Sequence, residues 1–270
     1  MDSSLHDLAI KYIADFLIGD NNTLIALMRV SKHFYSRRDF FFELLVLNET
    51  ESDYALLHQP YGWNKVNYFI LSNYGFEDLT PFKSIHSVSL IDMHRVYDVS
   101  PLKNCYYLHI KHCPGITNVS SLGRVHNLSL TNLQNVVDVS ALGTVHELEL
   151  MDCHNIRDIS ALGTVHKLSL SWCENIRDIS ALKSVYDLTL MGLHLITDVS
   201  ALSAVHKLYI CSCHQIFDIS ALRTVYDLHL ELLNIVDVSS LKSVHKLKIT
   251  HCYEISDFSV IKNRYLTIVH

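Results

Sequence analysis

With 8 Gly and 4 Pro in 270 residues and no low-complexity tract, the chain has no long flexible linker. Positive charge is also short. Lys and Arg number 22 against 28 Asp and Glu, and the formal net charge of −6 offers no basic footprint for nucleic acid or an anionic membrane. No apolar run reaches the roughly 20 residues that span a bilayer. The first residues, MDSSLHDLAIKYIADFL, lack the basic start and small-residue cleavage site of an export signal. Seven Cys is an odd number, and without an export signal it points to free thiols in a reducing compartment. The expected location is therefore intracellular and cytoplasmic. Apolar residues make up 49% of the chain, enough for a large core without disulfides or metals.

The other abundance is repetition. Asp98-Val99-Ser100, Asn118-Val119-Ser120, Asp138-Val139-Ser140, Asp158-Ile159-Ser160, Asp178-Ile179-Ser180, Asp198-Val199-Ser200 and Asp218-Ile219-Ser220 recur every 20 residues. Asp237-Val238-Ser239 comes one residue early, Asp257-Phe258-Ser259 resumes the count, and a fainter copy begins at Asp78. A fixed period of this length predicts a solenoid, in which stacking buries the apolar face that one unit cannot bury alone.

In the copy VHELELMDCHNIRDIS at 145–160 and its continuation, Val145, Leu148, Leu150, Cys153, Ile156, Ile159 and Leu162 are the expected core positions. Leu148 and Leu150 alternate as in a strand, so Glu147, Glu149 and Met151 should point away from them. The Cys column exchanges Cys113, Cys153, Cys173, Cys213 and Cys252 with Met93, Leu133, Leu193 and Leu233, which suits a small buried apolar residue and not a metal ligand. A second column alternates His and Tyr: His86, Tyr106, His126, His146, His166, Tyr186, His206, Tyr226 and His245. It shares the parity of Leu148 and Leu150, so its rings should lean toward the core. Turns about 4.8 Å apart should stack them. Protonating stacked His should weaken the solenoid in mild acid. In the third column, Asp accepts hydrogen bonds from backbone N–H groups one or two residues on, a role Asn118 can share. None of the three columns reads as an active site.

The pattern V-H-x-L-x-L-x-x-C-x-x-I-x-D-I-S-A-L resembles the leucine-rich repeat in its cysteine-containing form, over residues 66–268. The resemblance implies an α/β repeat solenoid of about ten repeats with a parallel sheet on its concave face. A 20-residue unit leaves its return segment, RDISALGT, room for a turn or one 3₁₀ turn.

Residues 1–50 differ in texture. Leu5, Leu8, Ile10, Ile13, Ala14 and Leu17 follow helical spacing, IGDNN breaks the run, and Leu24, Leu27, Met28, Val30 and Phe34 resume it. A helical cap closing the solenoid is one reading. LIALMRVSKHFYSRRDFFFELL also resembles the second half of an F-box and LAIKYIADFL its first helix, with Phe40 and Phe41 where that motif has a Trp. The Pro and Gly of HQPYGWNKVN mark a junction, giving an F-box-like helical domain at 1–50, a junction at 51–65 and the solenoid at 66–270.

F-box plus leucine-rich repeats resembles the substrate-receptor subunit of SCF-type ubiquitin ligases, with short forms known among large DNA viruses and protists; for a viral protein the location would be the host cytoplasm. The resemblance implies docking on a Skp-family adaptor through Leu5, Leu8, Ile13, Leu17, Leu24, Leu27, Val30 and Phe34. The concave face would hold an unidentified target protein, with no cofactor, metal, nucleic acid or membrane expected. Candidate target-binding residues on that face are His109, Glu147, Glu149, Trp172, Tyr209 and His229. Trp172 and Tyr209 are the expected anchors, because exposed aromatics dominate interface hot spots; Trp172 suits equally well a cover for the turn beside Cys173. Glu147 and Glu149 sit about 7 Å apart along one strand face, a separation some glycosidases use. An open surface of Ser, Thr and Lys has no apolar pocket to raise one carboxyl's pKa, so no catalysis is expected. Cys211 faces outward by parity and lacks a repeat-fixed base beside it.

Overall fold

The computed structural model describes residues 44–47, 68–72, 77–259, 261 and 266–269. Most of the 1–50 segment, including all eight residues assigned to adaptor docking, and the 51–65 junction lie outside that set.

Twelve strands among the described residues form one parallel sheet in which each pairs with the next in sequence. They are β1 (Leu44–Leu47), β2 (Tyr68–Ser72), β3 (Ser87–Ile91), β4 (Tyr107–Lys111), β5 (Asn127–Thr131), β6 (Glu147–Met151), β7 (Lys167–Ser171), β8 (Asp187–Met191), β9 (Lys207–Cys211), β10 (Asp227–Glu231), β11 (Lys246–Thr250) and β12 (Leu266–Val269). β1 falls inside the 1–50 segment, and its residues pair in parallel with β2. Between β3 and β10 the register advances by 20 residues per strand, as in Glu147↔Lys167 and Leu148↔Leu168. The short copy is absorbed between β10 and β11 without a slip, because Glu231 still pairs with Thr250.

One coil is readable from its residues. In β6 the inward Leu148 and Leu150 are 2% and 0% exposed, while Glu147, Glu149 and Met151 are half-buried on the open face. Asp152 then takes φ +54°, the left-handed region that turns the chain off the sheet. Its N–H donates to the carbonyl of Ser171 in the next coil (2.9 Å), so the turn stays tied to the sheet. Cys153, Ile156, Ile159 and Leu162 point inward and are buried. Cys153 donates its S–H to the carbonyl of Met151 (3.4 Å), and Cys113, Cys173, Cys213 and Cys252 repeat that geometry. Burial pushes the thiols up, to about 11 at Cys153 and about 12 at Cys173, so they are packing groups and poor nucleophiles.

Asp158 Oδ1 accepts the N–H of Ser160 (2.9 Å) and opens the 3₁₀ turn Ser160–Thr164 that closes the coil. The same bond forms at Asp78, Asp98, Asp138, Asp178, Asp198, Asp218, Asp237 and Asp257, and Asn118 forms it with Ser120 (2.9 Å). Backbone and hydroxyl bonds from the following Ser hold Asp138, Asp158, Asp178, Asp198, Asp218 and Asp237 below the usual carboxylate range. Coils are also stitched by Asn135, Asn155, Asn175 and Asn234, whose side-chain N–H groups donate to carbonyls of the preceding coil.

The His/Tyr column departs from expectation in direction. Its rings lie with centroids 4.3–5.0 Å apart from His86 to His245, stacked at every step except His126–His146, where the planes are tilted by 44°. They do so outside the core, and His86, Tyr106, His146, His166, Tyr186, Tyr226 and His245 are exposed. The parity argument fails here because the strand begins one residue later, at Glu147, so its alternation does not extend back to His146. Desolvation and the neighbouring rings of His126 and His166 hold the His146 imidazole below its ordinary value.

Candidate binding face

The open face of the sheet carries three columns of side chains. The column at the first strand position reads Glu147, Lys167, Asp187, Lys207, Asp227, Lys246, strict alternation of sign over six strands. Each Lys reaches back to the acid before it: Lys167 to Glu147 at 3.8 Å, Lys207 to Asp187 at 3.9 Å, Lys246 to Asp227 at 3.6 Å. These pairs are partly exposed, so each contributes little stability. Their larger effect is to neutralise that rim. The alternation is a charge pattern with a period of about 20 residues in the sequence itself.

The middle column holds four of the six sequence candidates: His109, Glu149, Tyr209 and His229. His109 is buried, with Nδ1 3.2 Å from the hydroxyl of Ser89. Glu149 accepts from the Ser129 hydroxyl (2.7 Å), and Glu147, one position earlier on the strand, accepts from Asn127 Nδ2 (2.9 Å). The carboxylates are thus bound to the preceding strand, each in its own hydrogen bond. Tyr209 and His229 stack at 4.5 Å. The Tyr209 hydroxyl donates to Glu231 (2.7 Å), whose carboxylate also lies 3.5 Å from His229 and 3.7 Å from His251. His229 Nε2 is 3.0 Å from the Thr250 hydroxyl. Burial, then the bond to Glu231, pushes the Tyr209 phenol well up, and burial followed by Lys248 holds His229 down. Both rings therefore act as neutral hydrogen-bonding groups at neutral pH. Cys211 has the outward parity expected of it but is 6% exposed, enclosed beside the Ser212 hydroxyl at 3.4 Å. Parity gives the side of the sheet, not access to solvent.

Trp172 is the outlier. It occupies the left-handed turn position (φ +55°) filled elsewhere by Asp92, His112, Asn132, Asp152, Gly192, Ser212, Leu232 and His251. The residue is 37% exposed, and its ring covers the turn of the next coil at Gly192. A Cβ at Gly192 would stand 2.2 Å from Trp172 Cε3, so the ring lies on the glycine. Gly192 is the one glycine of this column, and it is the residue that makes room. Reading the repeat missed the column's conformation, although Asn132, Gly192 and two Asp, the residues that tolerate positive φ, were there to suggest it.

No protein-family model and no curated protein matches the sequence. Solved structures do. An internalin from Listeria monocytogenes superposes with a TM-score of 0.52 at 20% identity, covering 79% of each chain. The fold is a leucine-rich repeat solenoid. Two further structures match with lower TM-scores. Internalin C2 from the same organism has a TM-score of 0.44 at 22% identity, covering 69% of this chain and 81% of its own. The functional domain of InlJ, also from L. monocytogenes and including a cysteine ladder, has 0.42 at 17%, covering 75% of this chain and 52% of its own. Among the described residues of the solenoid, no helix is long and apolar enough to cross a membrane.

Proposed function

We propose that the chain is a non-catalytic receptor that holds a partner protein on the open face of its leucine-rich repeat sheet. The observation that carries this reading is the contrast within each coil. Core positions repeat, whereas the open-face columns change chemistry from strand to strand and present a half-buried mix of paired charge, stacked rings and one exposed Trp. A scaffold alone needs only the first property.

The finer reading is a substrate receptor of an SCF-type ubiquitin ligase. Residues 1–50 dock on a Skp-family adaptor through Leu5, Leu8, Ile13, Leu17, Leu24, Leu27, Val30 and Phe34, while His109, Glu147, Glu149, Trp172, Tyr209 and His229 contribute to the target site in the cytoplasm. Such a receptor accelerates transfer by raising effective concentration, with no chemistry of its own. Its support is the F-box-like spacing of the sequence. A second reading, a binding module whose first residues only close the solenoid, is favoured by β1, which lies within 1–50 and already pairs with the sheet. Calorimetry of the full chain with a purified Skp-family adaptor separates them. Micromolar or tighter binding, lost in a folded Leu24→Asp, Leu27→Asp variant, supports the ligase receptor; absence of binding leaves the free-standing module.

A further inference from the structure

Trp172 stands at the end of β7, where the chain turns off the sheet. The indole rests on Gly192 and has the His194 ring beside it (centroids 5.8 Å apart, 60° between planes), and the residue remains 37% exposed. Met151 and Met191 occupy the last positions of the flanking strands, in register with Ser171 and half-buried. Asp152 fills the same turn position one coil earlier, about 4.8 Å away by backbone spacing. Glu174 is exposed two residues further along from Trp172. Among the described residues neither carboxylate takes part in an ion pair or a side-chain hydrogen bond, unlike Glu147, Glu149, Asp187, Asp227 and Glu231 on the same face.

We propose that this corner is a subsite for a basic side chain of a partner protein: an Arg or Lys laid on the exposed part of the Trp172 ring, its charge met by Asp152 and Glu174 and its alkyl stem by Met151 and Met191. The inference rests on the reading of the open face as a protein-binding surface. A cation over an indole is attracted by the ring's electron density, and a planar guanidinium fits both the ring and a carboxylate fork. Thioethers on either side give a pliable apolar wall for the stem. Gly192 is part of the device, because a side chain there displaces the ring.

The test selects a displayed library of random twelve-residue peptides on the full chain. The recovered peptides are then titrated by fluorescence anisotropy against wild type, Trp172→Ala, Trp172→Phe, an Asp152→Asn, Glu174→Gln double variant and Tyr209→Ala, each checked for folding by circular dichroism. Expected are peptides with Arg or Lys beside an apolar residue, weakened tenfold or more by Trp172→Ala and largely retained by Trp172→Phe. The double variant should weaken them severalfold and flatten their salt dependence. Basic peptides that lose affinity in the double variant but not in Trp172→Ala report diffuse charge attraction and overturn the subsite. So do uncharged or acidic peptides, or no recovered peptide. Peptides lost only in Tyr209→Ala overturn the subsite while keeping the open face as a binding surface. Peptides indifferent to every open-face substitution overturn both.

Discussion

Two columns of exposed side chains run the length of the solenoid, one just ahead of each strand and one just ahead of each 3₁₀ turn, and they are regular for different reasons. Rings of the His/Tyr column touch the ring before and the ring after, as His146 touches His126 at 4.5 Å and His166 at 4.7 Å. Each Asp of the other column satisfies its own coil, accepting the N–H two residues on. The first column is held between coils and the second within them. Periodicity in sequence is the same in both cases, so a period alone does not say whether neighbours interact. Exchange patterns do: the ladder accepts only flat rings, whereas the Asp column accepts Asn, another short acceptor that needs no neighbour.

Perturbing the middle of each column should separate the two. The largest effect is expected from replacing His126, His146 and His166 together with Ala, which removes four ring contacts running from Tyr106 to Tyr186. At a few tenths to one kcal/mol per cross-strand pair, the loss is about 2 kcal/mol by urea unfolding. It should fall short of the sum of the three single substitutions, because two contacts are shared and counted twice in that sum.

Acid provides the next contrast. Folding holds His146 below its ordinary value of 6.5, so the unfolded chain binds the proton more readily. Its stabilising contribution is therefore complete above about pH 6.5 and lost as pH falls toward the depressed folded value. The thermal midpoint should drop between pH 7.5 and pH 5, and His146→Tyr, the exchange the ladder already makes at Tyr106 and Tyr186, should reduce that drop. The Asp column shares the sign but not the window. Its depressed carboxyls keep their contribution down to about pH 4 and lose it below, as the folded chain is finally forced to take up the proton. A chain whose midpoint stays flat from pH 7.5 to pH 5 would argue against the ladder as an acid-sensitive element.

Smaller steps should follow from Asp138→Ala, Asp158→Ala and Asp178→Ala. Each lowers the thermal midpoint at pH 7, and the triple variant should match or slightly exceed the sum of the singles, because relief of the repulsion of Asp158 from Asp138 and Asp178 is counted twice in that sum, the opposite sign to the ladder. The smallest effect is expected from Asp158→Asn, close to neutral at pH 7 because Asn118 makes the same bond at 2.9 Å, with the sub-pH 4 loss at that position abolished.

Most of the architecture was legible in the chain. The 20-residue period, the inward Leu148 and Leu150, the buried Cys column, the Asp-started turn and the stacking of rings all follow from local chemistry repeated in register. What was not legible depends on where regular structure stops. His146 was assigned to the wrong side because one residue outside a strand no longer alternates, and Cys211 was credited with access that its neighbours deny it. The alternating Glu147-to-Lys246 rim and the Trp172–Gly192 pairing involve partners 19 or 20 residues apart, so they appear only when columns are compared across coils. For the first 43 residues the contrast between a cap and an adaptor-docking unit rests on sequence.

The unbroken order of the sheet has a mechanical consequence. Every strand is bonded only to its neighbours in the chain, all parallel and in register from β1 to β12. Among the described residues, tension along the axis therefore meets no strand pairing that joins distant segments, and these coils should peel from one end in succession. Each releases roughly 60 Å of contour, about 20 residues of extended chain less the inter-strand spacing. A force–extension trace should show near-equal teeth, with the shorter coil between Glu231 and Thr250 giving a step smaller by about one residue, roughly 3.5 Å. The protein would behave as a spring that lengthens by counting.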